Sequence, residues 1–319
     1  MGKPARILVT GADGFVGGWL MRHLRTVLPP DTEITATSRR RLDGASLDIV
    51  DAAAVDAFMA ALRPTAVIHL AAVSSSAEAR SDARLAWDVN LRGTLNLAEA
   101  VMRHAPEARF LYAGSSEAYG RSFSGTATPL DERAALNPRN VYAATKAAAD
   151  LMLGQMAEDG LRAIRFRPFN HTGPGQSPRF VVAAFARRIA AIERGEAPAV
   201  MKVGNLDAQR DFLDVRDVAA AYALAIQARD LTDYAVYNLA SGIPRRIGDV
   251  LASLLAASRA RISIATDEAL LRPTETPIAI GDARRAHDDF GWRPEIAWET
   301  TLRDVLEASR ETVATRRSG

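Results

Sequence analysis

The sequence predicts an α/β fold, a doubly wound parallel sheet of the Rossmann type with a smaller, discontinuous C-terminal domain. Over the first two-thirds of the 319 residues, short β-branched runs alternate with alanine-rich helical stretches. Three glycines follow the first run, and a stretch rich in Gly, Pro and Asn, "NHTGPGQSP", ends the regular alternation near residue 170. Apolar runs separated by helices indicate parallel strands that are buried on both faces of a sheet.

The elements follow one another in the order that such a sheet requires. Strands are predicted at 6–11, 33–39, 66–72, 109–116, 162–169 and 235–241, with helices between them at 15–28, 52–62, 84–104 and 140–158. Further helices at 178–195, 248–260 and 283–310 lie outside this alternation. We therefore expect a sheet domain of 1–169 plus about 212–247, and a smaller domain of about 170–211 plus 248–319 that closes a cleft over the carboxyl ends of the strands.

The composition argues against several kinds of site and partner. The chain has no cysteine, so it has no disulfide, thiolate nucleophile or sulfur metal ligand, and no close His/Asp pattern indicates a metal. The net charge is +2, and no basic run with interleaved aromatic residues indicates nucleic acid. No stretch approaches the roughly 18 uninterrupted apolar residues of a membrane span, and the N-terminus shows no signal-peptide pattern. We expect a cytoplasmic protein with no metal and with neither nucleic acid nor membrane as a partner.

The first turn of the sheet has the pattern of a dinucleotide site, because its glycines follow a strand and open a helix. The first glycine permits the tight turn, the second lets a pyrophosphate approach the backbone, and the third lets helix and strand pack closely. The N–H groups at the start of the helix then favour a phosphate. We expect the cofactor to contact the whole turn, comprising Gly11, Asp13, Gly14, Phe15, Val16 and Gly17.

The end of the second strand indicates which dinucleotide binds. Proteins that bind NAD carry an acid about 20 residues after the glycines, which holds a ribose hydroxyl. Here Arg39 and Arg40 follow the strand instead. Because arginine is the natural partner of a 2′-phosphate, NADPH is the expected cofactor, with NADH as the alternative. Asp48, next to Ile49, lies where an acid could accept the adenine amino group.

Tyr142 and Lys146 form the candidate proton donor. They lie four residues apart on a predicted helix and so share a face. Only three of the 40 basic residues are lysine, which indicates that arginine would not serve at position 146. An adjacent ammonium favours the phenolate and would lower the tyrosine pKa from its ordinary value of about 10. A lysine can also hydrogen-bond the ribose hydroxyls.

Several stretches occur in the order typical of one enzyme family, namely "TGADGFVGG", "HLAA", "DVNLRGT", "YAGSSEAYG", "YAATK" and "FRPFNHTGPGQ". Together they resemble the extended short-chain dehydrogenase/reductase family of nucleotide-sugar enzymes over essentially the whole chain. The resemblance implies an NAD(P)-binding Rossmann domain and a C-terminal domain that binds a nucleotide sugar. It also implies a homodimer, in which the helices at 84–104 and 140–158 pair to form a four-helix interface.

Carried over by position, the resemblance implies roles for further residues. Ser115 would share the substrate carbonyl oxygen with Tyr142, and Asn90 would brace the sheet near the site. The cofactor contacts so implied are Leu70, Ala71, Ala72, Asn90, Arg167 and Pro168, in addition to Tyr142 and Lys146.

The C-terminal half resembles the branch of the family that acts on GDP-mannose derivatives, through "RPFNHTGPGQSPRF", "VGNLDAQRDFLDVRDV" and "RPTE". This resemblance implies a GDP-sugar substrate. Arginine forks suit its pyrophosphate, and a carboxylate suits the guanine N–H edge. The implied substrate contacts are Ser116, Glu117, Asn170, Arg210, Arg272 and Glu275.

Two activities of this branch differ in the role of Glu117. In a 4,6-dehydratase a carboxylate at this position removes the C5 proton, whereas a 4-keto-6-deoxy reductase delivers hydride to the C4 ketone. Three departures from the dehydratase pattern favour NADPH-dependent reduction to a GDP-6-deoxyhexose such as GDP-D-rhamnose. They are Gly17, the "NHTGPGQSP" segment, and Phe212 in place of a Trp-Gly-His run. A dehydratase, a 4-epimerase and a non-catalytic dinucleotide sensor remain the alternatives.

Overall fold

Two groups of β-strands divide the chain between two domains. The computed structural model describes residues 5–39, 45–123, 128–228, 231–232, 235–270 and 276–315. Its strands are β1 (Arg6–Thr10), β2 (Glu33–Ser38), β3 (Ala45–Ser46), β4 (Ala66–His69), β5 (Arg109–Ala113), β6 (Ala163–Pro168), β7 (Asn170–Thr172), β8 (Val200–Val203), β9 (Gln209–Asp214), β10 (Val236–Leu239), β11 (Pro244–Arg246), β12 (Ser263–Thr266) and β13 (Ile278–Ala279). The larger sheet contains β1 to β6 and β10.

The larger sheet is parallel throughout, with the strand order β10-β6-β5-β4-β1-β2-β3. Because β1 lies between β2 and β4, the winding of the chain reverses there, and such a reversal opens a crevice outside the carboxyl ends of the strands. The register places Thr10 beside both Thr37 and His69, so these three strand ends are level. The predicted doubly wound parallel sheet is confirmed.

Helices cover both faces of this sheet. The described α-helices are α1 (Phe15–Val27), α2 (Ala52–Leu62), α3 (Ser76–Ser81), α4 (Ala83–Trp87), α5 (Thr94–His104), α6 (Val141–Glu158), α7 (Val181–Glu193), α8 (Val215–Gln227), α9 (Ile247–Ala256), α10 (Arg284–Phe290) and α11 (Trp298–Thr315). In β1, Ile7 and Val9 pack with α1 and α8, whereas Leu8 packs with α2, α5 and α6. Since successive strand residues point to opposite faces, burial on both faces explains the continuous apolar runs. None of these helices is long and apolar enough to cross a membrane.

The long helix predicted over 84–104 contains a π-helical stretch, Asp88–Gly93, between α4 and α5. This stretch carries Asn90, whose side chain accepts the Val73 N–H at 2.8 Å and donates to the Val73 carbonyl oxygen at 3.1 Å. The apolar periodicity gives no sign of the wider turn. π-Helical turns inside α-helices occur frequently at functional sites, and this one fixes the segment that follows β4.

The smaller domain contains two short sheets. In one, β9 pairs with β7, β11 and β13, and in the other β8 pairs with β12. Helices α7, α9 and α11 share a hydrophobic core with these strands that includes Phe185, Leu251 and Leu306. The sequence pattern predicts the helices but not the strands, which are too short to show a clear alternation of apolar and polar residues.

The structure departs from the predicted division of the chain at two places. β9 begins at Gln209 and pairs with strands of the smaller domain, so the boundary predicted near residue 212 falls inside it. The helix predicted over 283–310 is two helices, and Ala286 of α10 packs with Trp292 in the core of the larger domain. An amphipathic pattern shows that a helix has an apolar face, but not which domain covers that face.

Candidate active site

A cavity of about 540 Å³ lies at the carboxyl ends of the parallel strands. Its walls come from the turns after β1, β4 and β5, the ends of β2 and β6, and the start of α6. This is where doubly wound folds bind ligands. The predicted site residues that line it are Gly11, Asp13, Gly14, Phe15, Val16, Gly17, Arg39, Asp48, Ile49, Leu70, Ala71, Ala72, Ser115, Ser116, Glu117, Tyr142, Lys146, Pro168 and Asn170.

The turn between β1 and α1 is shaped to accept a phosphate. Gly11 has φ +69°, and a Cβ there would lie 2.7 Å from the Ala71 nitrogen. A Cβ on Gly17 would lie 2.3 Å from the Gly11 carbonyl oxygen, so a larger residue would displace the turn. Gly14 caps α1 without any side-chain hydrogen bond, and the N–H groups of a first helical turn have no partner within the helix. These groups and the positive end of the helix dipole suit the phosphates of a dinucleotide, so the turn fits the predicted cofactor.

The end of β2 and the segment after β3 form a second part of the wall. Arg39 is exposed and lines the cavity together with Ser38. Asp48 also lines it and accepts the Val50 N–H at 3.0 Å through Oδ1. An exposed guanidinium at this position suits the 2′-phosphate that distinguishes NADPH from NADH. Arg40, the second predicted contact, lies outside the described residues.

The first two turns of α6 carry Tyr142 and Lys146. Asn140 caps this helix by accepting the Ala143 N–H at 2.8 Å. The amide of the same side chain donates to the Glu117 carboxylate at 3.1 Å. One cap therefore fixes both the start of the helix and the position of Glu117.

Ser115, Tyr142 and Lys146 are buried side by side and form what we call the floor of the cavity. Their exposed fractions are 8%, 9% and 5%. The Ser115 hydroxyl lies close enough to that of Tyr142 to lower its pKa, and Lys146 Nζ donates to the Ala113 carbonyl oxygen at 2.7 Å. The Glu117 N–H donates to Ser115 Oγ at 3.1 Å, which anchors the serine hydroxyl.

Burial controls the protonation of this floor. It raises the pKa of Tyr142 well above its ordinary value, the Glu117 carboxylate raises it further, and the Ser115 hydrogen bond lowers it. Burial also lowers the pKa of Lys146 to about 7. The prediction that Lys146 lowers the tyrosine pKa is wrong for this arrangement, because the ammonium is itself desolvated and donates to a backbone carbonyl. Tyr142 is therefore held in its protonated form, as a proton donor.

Two residues predicted to contact the cofactor do not line the cavity, although the bonds of Asn90 to the segment after β4 fit its other predicted role as a brace near the site. Asn90 is 1% exposed, and besides its bonds to the segment after β4 it donates to the Thr145 hydroxyl at 2.9 Å. Arg167 is 5% exposed and forms an ion pair with Asp150. Both side chains lie one layer below the cavity. The position of a residue in a motif does not determine which way its side chain points.

The other predicted substrate contacts also differ in whether they line the cavity. Asn170 is exposed and lines the cavity. Arg210 does not line it, and its Nη1 donates to the Thr276 carbonyl oxygen at 2.7 Å, so its contact with the substrate stays a prediction. Arg272 and Glu275 lie outside the described residues.

Sequence patterns miss a further part of the wall. Half of these residues lie next to a predicted one in the chain, and that nearness is the signal that could have found them. Ser74, Glu78 and Phe180 come instead from α3, the segment before it and the loop before α7, which no motif marks. Within the described ranges, no group of three or more His, Asp or Glu side chains could hold a metal ion. The unpredicted wall residues are Thr10, Thr37, Ser38, Leu47, Val73, Ser74, Glu78, Leu85, Val89, Ala113, Gly114, Phe169, His171, Gln176, Phe180 and Tyr222.

Known proteins resemble this chain over almost its full length. GDP-6-deoxy-D-mannose reductase of Pseudomonas aeruginosa is 35% identical over 302 residues, which cover 94% of this chain and 96% of the reductase. GDP-mannose 4,6 dehydratase 1 of Arabidopsis thaliana is 29% identical over 269 residues, covering 83% of this chain and 73% of the dehydratase. The solved structure of RMD from Pseudomonas aeruginosa complexed with NADPH has a TM-score of 0.85 and 33% sequence identity, covering 97% of this chain and 99% of that one.

The sequence model of the family described as GDP-mannose 4,6 dehydratase matches residues 8–305. The match includes the glycine turn, the serine turn and the Tyr142–Lys146 helix, whose side chains meet in the cavity. The resemblance drawn from the sequence motifs is thereby confirmed. The chain belongs to the GDP-mannose 4,6 dehydratase family, among the extended short-chain dehydrogenases/reductases.

Proposed function

We propose that the protein is an NADPH-dependent reductase that converts the C4 ketone of a GDP-4-keto-6-deoxyhexose to an alcohol, giving a GDP-6-deoxyhexose such as GDP-D-rhamnose. The observation that carries the proposal is the placement of Ser115, Tyr142 and Lys146, which are buried side by side in the floor of the cavity. Reduction needs a proton donor at the carbonyl oxygen, and because burial raises the pKa of Tyr142, its hydroxyl carries the proton at neutral pH. The higher identity to the bacterial reductase than to the plant dehydratase supports the same assignment.

Each side chain of the floor has its own task in this reduction. Bound NADPH supplies the hydride for C4 of the sugar. Tyr142 donates its proton to the ketone oxygen as negative charge develops there, and Ser115 donates a hydrogen bond to the same oxygen. Lys146 holds the ribose hydroxyls, and in its charged form it stabilises the phenolate that remains after proton transfer.

The cofactor would be held along the wall from the glycine turn to the end of β2. The first turn of α1 binds the pyrophosphate, and Arg39 binds the 2′-phosphate through charge-assisted hydrogen bonds. Asp48 accepts the adenine amino group. The structural relative solved with NADPH supports this choice of cofactor, with NADH as the weaker alternative.

The sugar nucleotide would lie over the floor from the opposite side. Ser116, Glu117 and Asn170 are the predicted contacts in the cavity wall. Asn170 follows the end of β6 and suits the pyrophosphate as a hydrogen-bond donor. Arg210, whose Nη1 donates to the Thr276 carbonyl oxygen, is the further predicted contact of the pyrophosphate.

The substrate requirement tests the proposed function. Given GDP-4-keto-6-deoxymannose, the protein should consume one NADPH per sugar and form a GDP-6-deoxyhexose, which NMR identifies. Given GDP-mannose with NADP⁺, it should form no product, because this sugar carries no ketone. Release of the 4-keto-6-deoxy sugar from GDP-mannose without net change in the cofactor would make the protein a dehydratase.

Glu117→Gln separates the two activities. The amide keeps the shape of the side chain and can keep the hydrogen bond from Asn140, but it cannot remove a proton from carbon. Elimination should fall by about 10²-fold or more, whereas reduction at C4 needs no such base and should fall far less. Turnover of GDP-mannose by the wild type that this substitution abolishes would overturn the assignment.

We further propose a homodimer formed by α4, α5 and α6 of each copy. Trp87 on α4 is 40% exposed and Leu151 on α6 is 62% exposed, on the helices that were predicted to pair. Light scattering at micromolar concentration should give twice the mass of the chain, and Trp87→Glu combined with Leu151→Glu should give the monomer. A monomeric mass for the wild type would refute this assembly.

A further inference from the structure

We propose that Arg167 is a positioning residue, whose buried guanidinium joins the three elements that carry the proton donor, the second hydroxyl and a substrate-contacting strand end. The inference rests on the proposed reductase function. Arg167 lies at the end of β6, is 5% exposed and does not line the cavity. It therefore acts on the reaction through other residues.

The first link connects Arg167 to α6 through Asp150. Arg167 donates Nε to Oδ2 and Nη2 to Oδ1, both at 2.9 Å, so the pair is bidentate. Asp150 is 1% exposed and lies one helical turn beyond Lys146 and two beyond Tyr142, on the same face of the helix. A buried carboxylate that loses its partner is strongly unfavourable. The pair therefore fixes the rotation of α6 relative to the sheet.

The second link connects Arg167 to the turn that carries Ser115. Arg167 Nη1 donates to the Tyr119 hydroxyl oxygen at 3.1 Å, and the guanidinium carbon lies 5.1 Å from the centre of the tyrosine ring. Tyr119 is fully buried and donates its own O–H to Asn238 Oδ1 at 2.8 Å. A 3₁₀-helical stretch, Ser116–Phe123, joins Tyr119 to Ser115. The position of the tyrosine therefore determines where the serine hydroxyl lies.

The third link is the main chain of Arg167 itself. β6 ends one residue later at Pro168, and both Pro168 and Asn170 line the cavity. Arg167 Nη1 also donates to the Glu132 carbonyl oxygen at 3.0 Å, which steadies the guanidinium on the side away from α6. One side chain thus holds the helix, the serine turn and the strand end at fixed distances from one another.

Arg165 provides the comparison on the same strand. It lies two residues earlier, on the same face of β6, and its Nη1 donates to Oδ1 of Asp150 at 3.1 Å. It thus shares the ion pair with Asp150 but lies farther from the cavity along the strand. The Tyr119 hydroxyl bonds to Arg167 and Asn238. A change at Arg165 therefore tests the ion pair without the link to the serine turn.

The geometry predicts which step depends on Arg167. Ser115 and Tyr142 lie on two of the three elements and line the same cavity, so a shift between these elements misplaces both donors at the ketone oxygen. A misplacement of about 1 Å can slow an enzyme reaction by about 10²-fold. The glycine turn belongs to β1 and α1, which Arg167 does not hold. Loss of the link to the serine turn, which leaves α6 and Lys146 in place, should therefore lower the rate of reduction and leave cofactor affinity nearly unchanged.

Tyr119→Phe is the mildest test, because it removes one hydroxyl and leaves the ion pair intact. We expect the single-turnover rate of keto-sugar reduction to fall by about 10-fold or more, with little change in NADPH affinity measured by fluorescence. The matched control is Tyr237→Phe, since Tyr237 is also fully buried and donates its hydroxyl to Asp289 at 2.7 Å. It should keep its rate, whatever its change in thermal stability. Equal rates for both variants and the wild type would overturn the proposal.

A double-mutant cycle separates positioning from a general loss of stability. If Tyr119 acts through the serine turn, Tyr119→Phe should slow the Ser115→Ala variant little further, because the misplaced hydroxyl is already absent. The same fold-loss in both backgrounds would contradict positioning. Likewise, Arg167→Lys should slow reduction more than Arg165→Lys at a temperature where both are folded, and equal rates would contradict the link through Arg167. If Arg167→Lys does not fold, the double-mutant cycle of Tyr119→Phe and Ser115→Ala still tests the positioning role.

The wild-type protein keeps this test separate from the proposed function. Its rate on the keto sugar with NADPH tests whether the protein is a reductase. The ratio of variant to wild-type rates tests Arg167, and it can be measured with any sugar nucleotide that the wild type oxidises or reduces. An inactive wild type on the keto sugar therefore refutes the reductase alone, and unchanged ratios refute the positioning role alone.

Discussion

Lys146 should make the protein less stable at neutral pH than an apolar residue at the same position. Its side chain is buried, and burial lowers the pKa from the ordinary 10.5 to about 7. At about 1.36 kcal/mol per pH unit, this difference corresponds to about 5 kcal/mol of lost stability when both the folded and the unfolded chain carry the proton. Lys146→Met fills the site with an apolar side chain of similar length and removes the titration.

The sign of the pH dependence follows from where the proton binds. Between pH 7 and 10.5 the unfolded chain binds this proton and the folded chain does not, so stability rises with pH. The loss of stability caused by Lys146 is fully present below pH 7. It is gone above pH 10.5, the pKa of this side chain in the unfolded chain. From pH 6 to pH 9, Lys146 alone should raise the free energy of unfolding by about 2.5 kcal/mol.

Urea unfolding of the ligand-free proteins at pH 6, 7, 8 and 9 measures this effect. The stability of wild type relative to Lys146→Met should increase across the series, because contributions from all other groups cancel in the difference. Lys202→Met is the control, since its side chain is 71% exposed and pairs with Asp267 at 3.5 Å. The free energy of unfolding of this control should change with pH as that of the wild type does. A parallel curve for Lys146→Met as well would refute the lowered pKa of Lys146.

The remaining predictions concern the ligand-bound protein. Tyr142→Phe keeps the ring but removes the proton donor, so kcat should fall by about 10²–10⁴-fold with folding intact, and a near-normal rate would contradict its role as the acid. Arg39→Ala should weaken NADPH binding by about 10- to 100-fold and NADH binding little in fluorescence titrations, whereas equal losses would exclude a 2′-phosphate contact. Gly17→Ala would place a Cβ 2.3 Å from the Gly11 carbonyl oxygen and should abolish NADPH binding, whereas Gly18→Ala meets nothing within 4 Å and should not.

The features predicted correctly from the sequence depend on local chain geometry. The glycine turn needs only a strand, three spaced glycines and a helix, and all three glycines line the cavity. Tyr142 and Lys146 reach the same cavity because residues four apart share a helix face. The parallel sheet follows from apolar runs separated by helices, since each strand is buried on both faces.

The features that the sequence did not reveal depend on contacts between distant segments. Arg167 lies in a motif that predicts ligand contact, yet its side chain bonds to Asp150 and Tyr119. These partners lie 17 and 48 positions away along the sequence. No spacing rule along the chain encodes such a pairing. The protonation of the floor was missed for a related reason. The burial of Tyr142 and Lys146 comes from the whole fold, and it outweighs the one neighbouring charge that the helix spacing suggested.

Burial and the placement of Glu117 together keep Tyr142 protonated in the ligand-free protein. His69, beneath the cavity, has its pKa lowered to about 3 by burial and then by Lys146, so it is neutral and bonds to the Thr10 hydroxyl at 2.7 Å. Tyr142 is kept neutral by burial and then by the Glu117 carboxylate. Because a nearby carboxylate disfavours the phenolate, it makes Tyr142 a poorer base toward an alcohol and keeps its proton available to a ketone. On the proposed reductase assignment, Glu117 acts through this charge and its bond with Asn140, without the contact to a sugar carbon that an elimination would require.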